Sequence, residues 1–193
     1  MQNEFEAKCI VRDIADARQR LERIGARCVQ PERLLRRAVF DFPDGALDRR
    51  GAWVRVRDEG SRITMSYKQA PAGATIADCF ETELTINSYD YGVAFCEDLG
   101  MARKSYQETK RESWEANSVY FDIDTWPGIP SFIEVEATDE ATVRRYVSEL
   151  GFAWADVHFG GVGVLYKRAY GIPEQEVNRI PEITFANPPT ARK

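Results

Sequence analysis

Between Glu4 and Cys9 charged and apolar residues alternate without a break. Glu4, Glu6 and Lys8 fall on one parity, Phe5, Ala7 and Cys9 on the other. A period of two sends successive side chains to opposite faces of a strand. The stretch therefore predicts a β-strand with one apolar face and one face bearing two carboxylates and an ammonium. Like charges two residues apart on a strand face sit roughly 6–7 Å from each other and repel unless something positive lies between them. The fold must supply a packed layer behind this strand and a compensating charge in front of it. A divalent cation is one way to meet the second demand.

The pattern recurs along the chain, sorted by sign. Glu81 pairs with Glu83 within Cys79–Ile86, Asp122 with Asp124, and Glu134 with Glu136. Arg55 and Arg57 form a basic pair in Trp53–Asp58, and Lys68 ends the adjacent run. The residues between them, among them Val54, Val56, Phe80, Leu84, Ile123, Ile133 and Val135, are apolar. If the apolar faces pack outward against helices, the charged faces converge inside a curved sheet. A lone Glu-x-Glu is an ordinary solvated strand face, and pairs of opposite sign can bridge one another on an open sheet. Buried together, so many charges demand cations among the acids and an anion among the bases. Guanidinium forks take phosphate oxygens two at a time, and ammonium groups add point charge.

Asp13 is placed to cap a helix with Ala17, Leu21 and Ile24 on one face and Gly25 as its stop. Residues 27–42 read as extended, ending at the turn Phe42-Pro43-Asp44-Gly45. Residues 53–58 and 62–68 form a hairpin around Glu59-Gly60. After a loop with Pro71 and Gly73 come a strand at 79–86 and a helix over 88–99 that stops at Gly100. Strands are expected at 103–115 and 118–124, joined at Asn117-Ser118, and again at 132–137. Thr138 or Asp139 then caps a helix carrying Val143, Tyr146, Val147 and Leu150. Hairpins dominate, which predicts an α+β domain on a strongly curved or closed antiparallel sheet of about eight strands. Residues 172–193, with Pro173, Pro181, Pro188 and Pro189, are expected to form an irregular extension beyond a domain spanning 1–171.

The 193 residues suffice for one domain with a proper core, and a hydrophobic fraction of 44% excludes a disordered chain. A net charge of −5 argues against a broad nucleic-acid surface. No apolar run approaches the ~20 residues of a membrane span and the N-terminal stretch has no apolar signal core, so a cytoplasmic protein with no membrane partner is expected. Cys9, Cys28, Cys79 and Cys96 form no CxxC pair and read as reduced thiols. With His158 the single histidine, a metal site has to be built from oxygen ligands, which points to Mg²⁺ or Mn²⁺. His158 itself reads as a hydrogen-bonded structural residue. Gly160-Gly161-Val162-Gly163, which no Gly-Lys-Ser/Thr follows, reads as a tight turn into a short last helix, and Trp126 and Trp154 read as packing residues.

Taken in order, these residues resemble the CYTH superfamily, the triphosphate tunnel metalloenzymes, which include class IV adenylyl cyclases, thiamine triphosphatases and inorganic triphosphatases. The resemblance runs from Glu4 to Gly171. The family's ExExK signature matches Glu4-Phe-Glu-Ala-Lys8, its basic strand Arg55-Val-Arg57, and its next-strand lysine Lys68. Its later arginine matches Arg111 in Thr109-Lys-Arg-Glu-Ser-Trp114, and its acidic strands match Asp122-Ile-Asp124 and Phe132-Ile-Glu-Val-Glu136.

The resemblance implies a closed or nearly closed antiparallel β-barrel with flanking helices, its interior a tunnel that binds a small-molecule triphosphate with Mg²⁺ or Mn²⁺. It implies Glu4, Glu6, Asp122, Glu134 and Glu136 as metal ligands and Lys8, Arg55, Arg57, Lys68 and Arg111 as the triphosphate clamp. Glu81, Glu83 and Asp124 are further tunnel acids, and Lys68 is the expected catalytic side chain, polarising water or the leaving group. The implied activity is metal-dependent triphosphate hydrolysis. A cyclase making cyclic AMP from ATP and a non-catalytic polyphosphate- or nucleotide-binding module are the alternatives, and the full set of matching acids favours catalysis. Two departures set the chain apart from the thiamine triphosphatases. Val39 stands where many members carry a tyrosine that would partner Lys68, and the stretch from His158 to Tyr166 is small and apolar where many place a polar side chain.

Overall fold

The computed structural model describes residues 2–3 and 5–190; Glu4, the first candidate metal ligand, lies outside the described residues. The chain forms β1 (Gln2–Asn3), β2 (Phe5–Ile10), α1 (Ile14–Arg23), β3 (Arg27–Asp41), β4 (Ala52–Asp58), β5 (Ile63–Gln69) and β6 (Phe80–Ile86). It continues with α2 (Tyr89–Asp98), β7 (Ala102–Ala116), β8 (Val119–Thr125), β9 (Phe132–Ala137), α3 (Glu140–Glu149), α4 (Gly163–Tyr170), α5 (Glu174–Val177) and β10 (Glu182–Ile183).

Neighbouring strands follow the path β1-β6-β5-β4-β3-β7-β8-β9-β2. The two ends of this path belong to one stretch of chain. Gln2 and Asn3 pair with Glu81 and Phe80, whereas Phe5–Ile10 pair antiparallel with Ala137–Phe132. The opening strand thus reaches both edges and curls eight antiparallel strands into a nearly closed barrel, the α+β architecture expected. The long partners β3 and β7 bend to follow this curve, with register shifts at Cys28/Gln30, Gln30/Arg33 and Val39/Phe40. Asn117 (φ 50°) and Ser118 (φ 62°) supply the two left-handed positions of the tight β7–β8 turn.

The apolar faces pack outward, as the alternation required. Behind β2, β8 and β9, Ala7, Cys9, Phe121, Ile123, Ile133 and Val135 are buried against Leu21 of α1 and Val143, Tyr146, Val147 and Leu150 at α3. On the opposite side, Ala38, Phe40 and Val56 pack with Cys96 of α2. Each fully buried Val, Leu, Ile or Phe side chain among these contributes roughly 1.5–3 kcal/mol. Asp13 and Asp139 cap α1 and α3 by accepting from the amides of Ala15 and Thr142, each at 2.8 Å.

The C-terminal stretch departs from expectation. It is not irregular throughout: it carries α5 and β10, which runs parallel to Tyr106–Gln107 of β7. Ile172, Val177 and Ile183 are buried with Phe132, Leu165 and Tyr166, so the prolines punctuate a docked segment. No helix among the described residues is long and apolar enough to cross a membrane.

Candidate active site: a charged tunnel

The inner faces of the barrel line a cavity of about 1020 Å³. Its acidic wall comes from β2, β8 and β9. Lys8 is 2% exposed and bonds Glu6 at 2.5 Å and Glu134 at 3.0 Å. Burial alone would lower the pKa of Lys8, but Glu6 and Glu134 raise it, so the ammonium stays charged. Arg111 of β7 donates to Asp124 from Nε at 2.7 Å, reaches Glu134 at 2.7 Å and pairs with Asp122 at 2.7 Å. Burial alone would raise Glu134, but Lys8 and Arg111 hold it well below the ordinary carboxylate range. Burial also pushes Asp124 up, and the two-pronged bond to Arg111 keeps that pair ionic.

Glu136 differs from its neighbours. Among the described residues it has no ion pair, and it stands directly opposite Glu6 in the β2–β9 ladder. Burial, then the Glu6 charge, pushes its pKa up to about 7. Opposed carboxylates repel, and a cation between them would remove that penalty. No three potential ligands among the described residues are gathered into a cage, because Lys8 and Arg111 draw the other acids to themselves. The donor set of carboxylate oxygens, with the half-buried Glu136 uncompensated among the described residues, fits a hard divalent ion.

The basic wall comes from β3, β4 and β5. Arg55 meets Glu81 at 3.0 Å and Glu83 at 3.6 Å, and Lys68 meets Glu81 at 3.3 Å. Arg57 pairs with Glu59 and, at 3.6 Å, with Glu83; Glu59 also serves Arg33 at 3.6 Å and Arg62 at 3.5 Å. Burial and the neighbouring Arg55 and Arg111 push the Arg57 pKa down to about 10. Along this wall the Nε atoms of Arg33, Arg37, Arg55 and Arg57 and the hydroxyls of Thr64 and Ser66 are buried without a hydrogen-bond partner. Buried donors are rarely left so in quantity. Their concentration on one lumen face describes a place prepared for an anion's oxygens.

The sequence matches the CYTH domain over residues 2–152. This chain belongs to the CYTH domain family. Among solved structures, one from Vibrio parahaemolyticus, provisionally named an adenylate cyclase, superposes with a TM-score of 0.71 at 17% identity, covering 86% of this chain and 98% of that one. The PH1012 protein of Pyrococcus horikoshii OT3 gives 0.67 at 18% identity over 80% and 94%. HpAC1 from Hippeastrum, described as having a dominant triphosphatase activity, gives 0.58 at 15% over 82% and 91%. At these identities the likeness is one of fold. No curated protein sequence matches the chain.

In this CYTH domain the expected residues line one cavity: Glu6, Lys8, Arg55, Arg57, Lys68, Glu81, Glu83, Arg111, Asp122, Asp124, Glu134 and Glu136. Lys8 and Arg111, read as part of the triphosphate clamp, are the cations of the acidic wall. Val39 faces the lumen opposite Arg55, and Gly160 and Gly161 line it, Gly161 beside Trp53. His158 pairs through its backbone with Lys8 in both directions, at 2.9 and 3.0 Å, and its ring meets Arg168 at 3.3 Å, a structural role.

Sequence reasoning missed Arg33, Arg37 and Glu59. Glu59 read as a turn residue, yet it is 6% exposed and serves three arginines. Arg37 shares the parity of Val39 two residues on, a signal that could have placed it in the lumen. Arg33 shares that parity too, because the β3–β7 register runs unbroken from Arg33 to Val39.

Proposed function

We propose that this CYTH domain is a divalent-metal-dependent triphosphatase that hydrolyses a phosphoanhydride bond of a triphosphate-bearing small molecule inside the tunnel. One observation carries the reading: buried guanidinium Nε donors without acceptors, on Arg33, Arg37, Arg55 and Arg57, face a wall of carboxylates across a single cavity. Arg55, Arg57 and Lys68 bind the phosphate oxygens and hold the chain for in-line attack, with Arg111 at the border between the walls. Lys68, paired with Glu81, donates to the leaving oxygen or to the attacking water. Glu6 and Glu136, with Glu4, Asp122 and Glu134, would hold Mg²⁺ or Mn²⁺, which when bound offsets phosphate charge and acidifies a water. Glu81, Glu83 and Asp124 orient the basic side chains. The dominant triphosphatase activity ascribed to the Hippeastrum neighbour agrees with this reading. The four free cysteines suit a reducing, cytoplasmic setting, and residues 172–193 extend a catalytic domain formed by 1–171.

The test offers purified protein tripolyphosphate, thiamine triphosphate and ATP with Mg²⁺ or Mn²⁺ and measures both phosphate and cyclic AMP. Phosphate release that disappears in chelator and in Glu6→Gln is expected. Cyclic AMP from ATP would sink the hydrolase in favour of the cyclase, and metal-independent binding without turnover would favour a non-catalytic module.

A further inference from the structure

Arg37 is the one buried guanidinium of the basic wall with no carboxylate in ion-pair range among the described residues. It is 5% exposed. One terminal nitrogen donates to Thr109 Oγ1 at 2.6 Å, the guanidinium lies 4.6 Å from the centre of the Trp126 ring, and Nε has no acceptor. Arg55, Arg57 and Arg111 all stand near enough to oppose its charge, yet a guanidinium does not shed its proton near neutrality. A charge held this way is expensive unless an anion arrives to match it.

The register gives the position. Arg37 stands directly opposite Arg57, one level along the barrel from Arg55, whose own partner across the ladder is the aliphatic Val39. At the Arg55 level Glu81 and Glu83 already supply negative charge. At the Arg37 level the carboxylate whose charge reaches it is Asp124, which Arg111 already holds through two nitrogens. The demand for added negative charge is therefore greatest there. The terminal phosphoryl group is the part of a triphosphate that carries a second ionisable oxygen and answers it best.

We propose that Arg37 is a substrate-binding residue: with Arg57 it forms a subsite for the terminal phosphoryl group, so that the tunnel tells a triphosphate from a diphosphate. This deepens the triphosphatase reading and rests on it. A diphosphate anchored at Lys68 and Arg55 leaves Arg37 unmatched, whereas a third phosphoryl group fills it with two-pronged bonds. The Trp126 ring against the guanidinium and the bond to Thr109 keep the fork in place before substrate arrives.

Imido-bridged analogues of tri- and diphosphate resist hydrolysis and serve as probes. Their binding to wild type, Arg37→Met and Arg37→Lys is measured by titration calorimetry in Mg²⁺, together with the melting temperature without ligand. Arg37→Met should lose roughly 30-fold or more in affinity for the triphosphate analogue, the effect of truncating a buried charged contact, and about 3-fold or less for the diphosphate. Its ligand-free form should melt above wild type, because an unmatched buried charge is gone. If Arg37→Met does not fold, Arg37→Lys carries the test with a smaller loss confined to the triphosphate. Equal losses for both probes, or none, would overturn the subsite while leaving the anion-binding tunnel intact. Wild type that binds neither probe would overturn the triphosphatase reading as well.

Discussion

Replacing Arg111 with methionine removes the cation on which the acidic wall converges. Arg111 serves Asp122 and Glu134 at 2.7 Å each and Asp124 through two nitrogens, at 2.7 and 2.5 Å. Charge-assisted hydrogen bonds contribute roughly 1.5–3 kcal/mol per partner, so three partners set a ceiling of about 9 kcal/mol. The real loss is smaller, because Lys8 still holds Glu134 at 3.0 Å and the orphaned acids can take up protons. Breaking a buried pair by removing one member costs about 3–5 kcal/mol, and that is the expected loss at pH 8. For a chain of this size it lowers the melting temperature by roughly 6–20 °C. The sign with pH follows from Asp124, which burial pushes up to about 6 while Arg111 holds it down. Without Arg111 its pKa rises further, so at pH 8 it is a costly unpaired charge while at pH 5 it is largely protonated in both proteins, and the deficit against wild type should shrink between pH 8 and pH 5. Urea unfolding followed by tryptophan fluorescence and circular dichroism at both values, with unchanged m, provides the comparison. A loss under about 1 kcal/mol at pH 8, or the same loss at both values, would refute the assignment of Arg111 as the hub of this wall.

Glu136 behaves in the opposite sense. Its folded pKa of about 7 lies above the unfolded value of 4.5, so in metal-free protein stability falls as pH rises through this window, by at most about 3 kcal/mol. Glu136→Gln should flatten that slope and weaken Mg²⁺ or Mn²⁺ binding, read by unfolding scans and metal titration; an unchanged slope would show that Glu136 does not face Glu6 buried. Ile183 is fully buried in the docked C-terminal segment, so Ile183→Ala should cost about 2–5 kcal/mol in chemical unfolding. A cost near zero would mean that the segment contributes nothing to the barrel's stability.

The alternation at Glu4–Cys9 and its echoes at 55–57, 81–83, 122–124 and 134–136 were enough to predict antiparallel strands with inward charge, because the parity of a strand is a local property. Helix limits were legible for the same reason: Asp13 and Asp139 announce their caps, and Gly25 follows the end of α1. In β3 the charges do not alternate cleanly, since Arg36 and Arg37 are adjacent and Leu35 and Val39 share the parity of Arg33 and Arg37, so composition did not mark the lumen face. Pairing with β4 and β7 puts Arg37 opposite Arg57 and Arg33 opposite Arg111.

Glu59 was hidden because a hairpin turn is exposed unless the barrel closes over it. The fate of residues 172–190 was hidden too, since Ile172, Val177 and Ile183 are scattered among prolines and acquire a partner only when Phe132 and Tyr166 are assembled. The residues alone determined that acids and bases would share an interior, because each strand's composition is sorted by face. Which acid answers which base, with Arg111 taking three carboxylates and, among the described residues, Glu136 and Arg37 each left without an ion-pair partner, was decided by the closure of the barrel. Those distances lie between strands far apart in the chain.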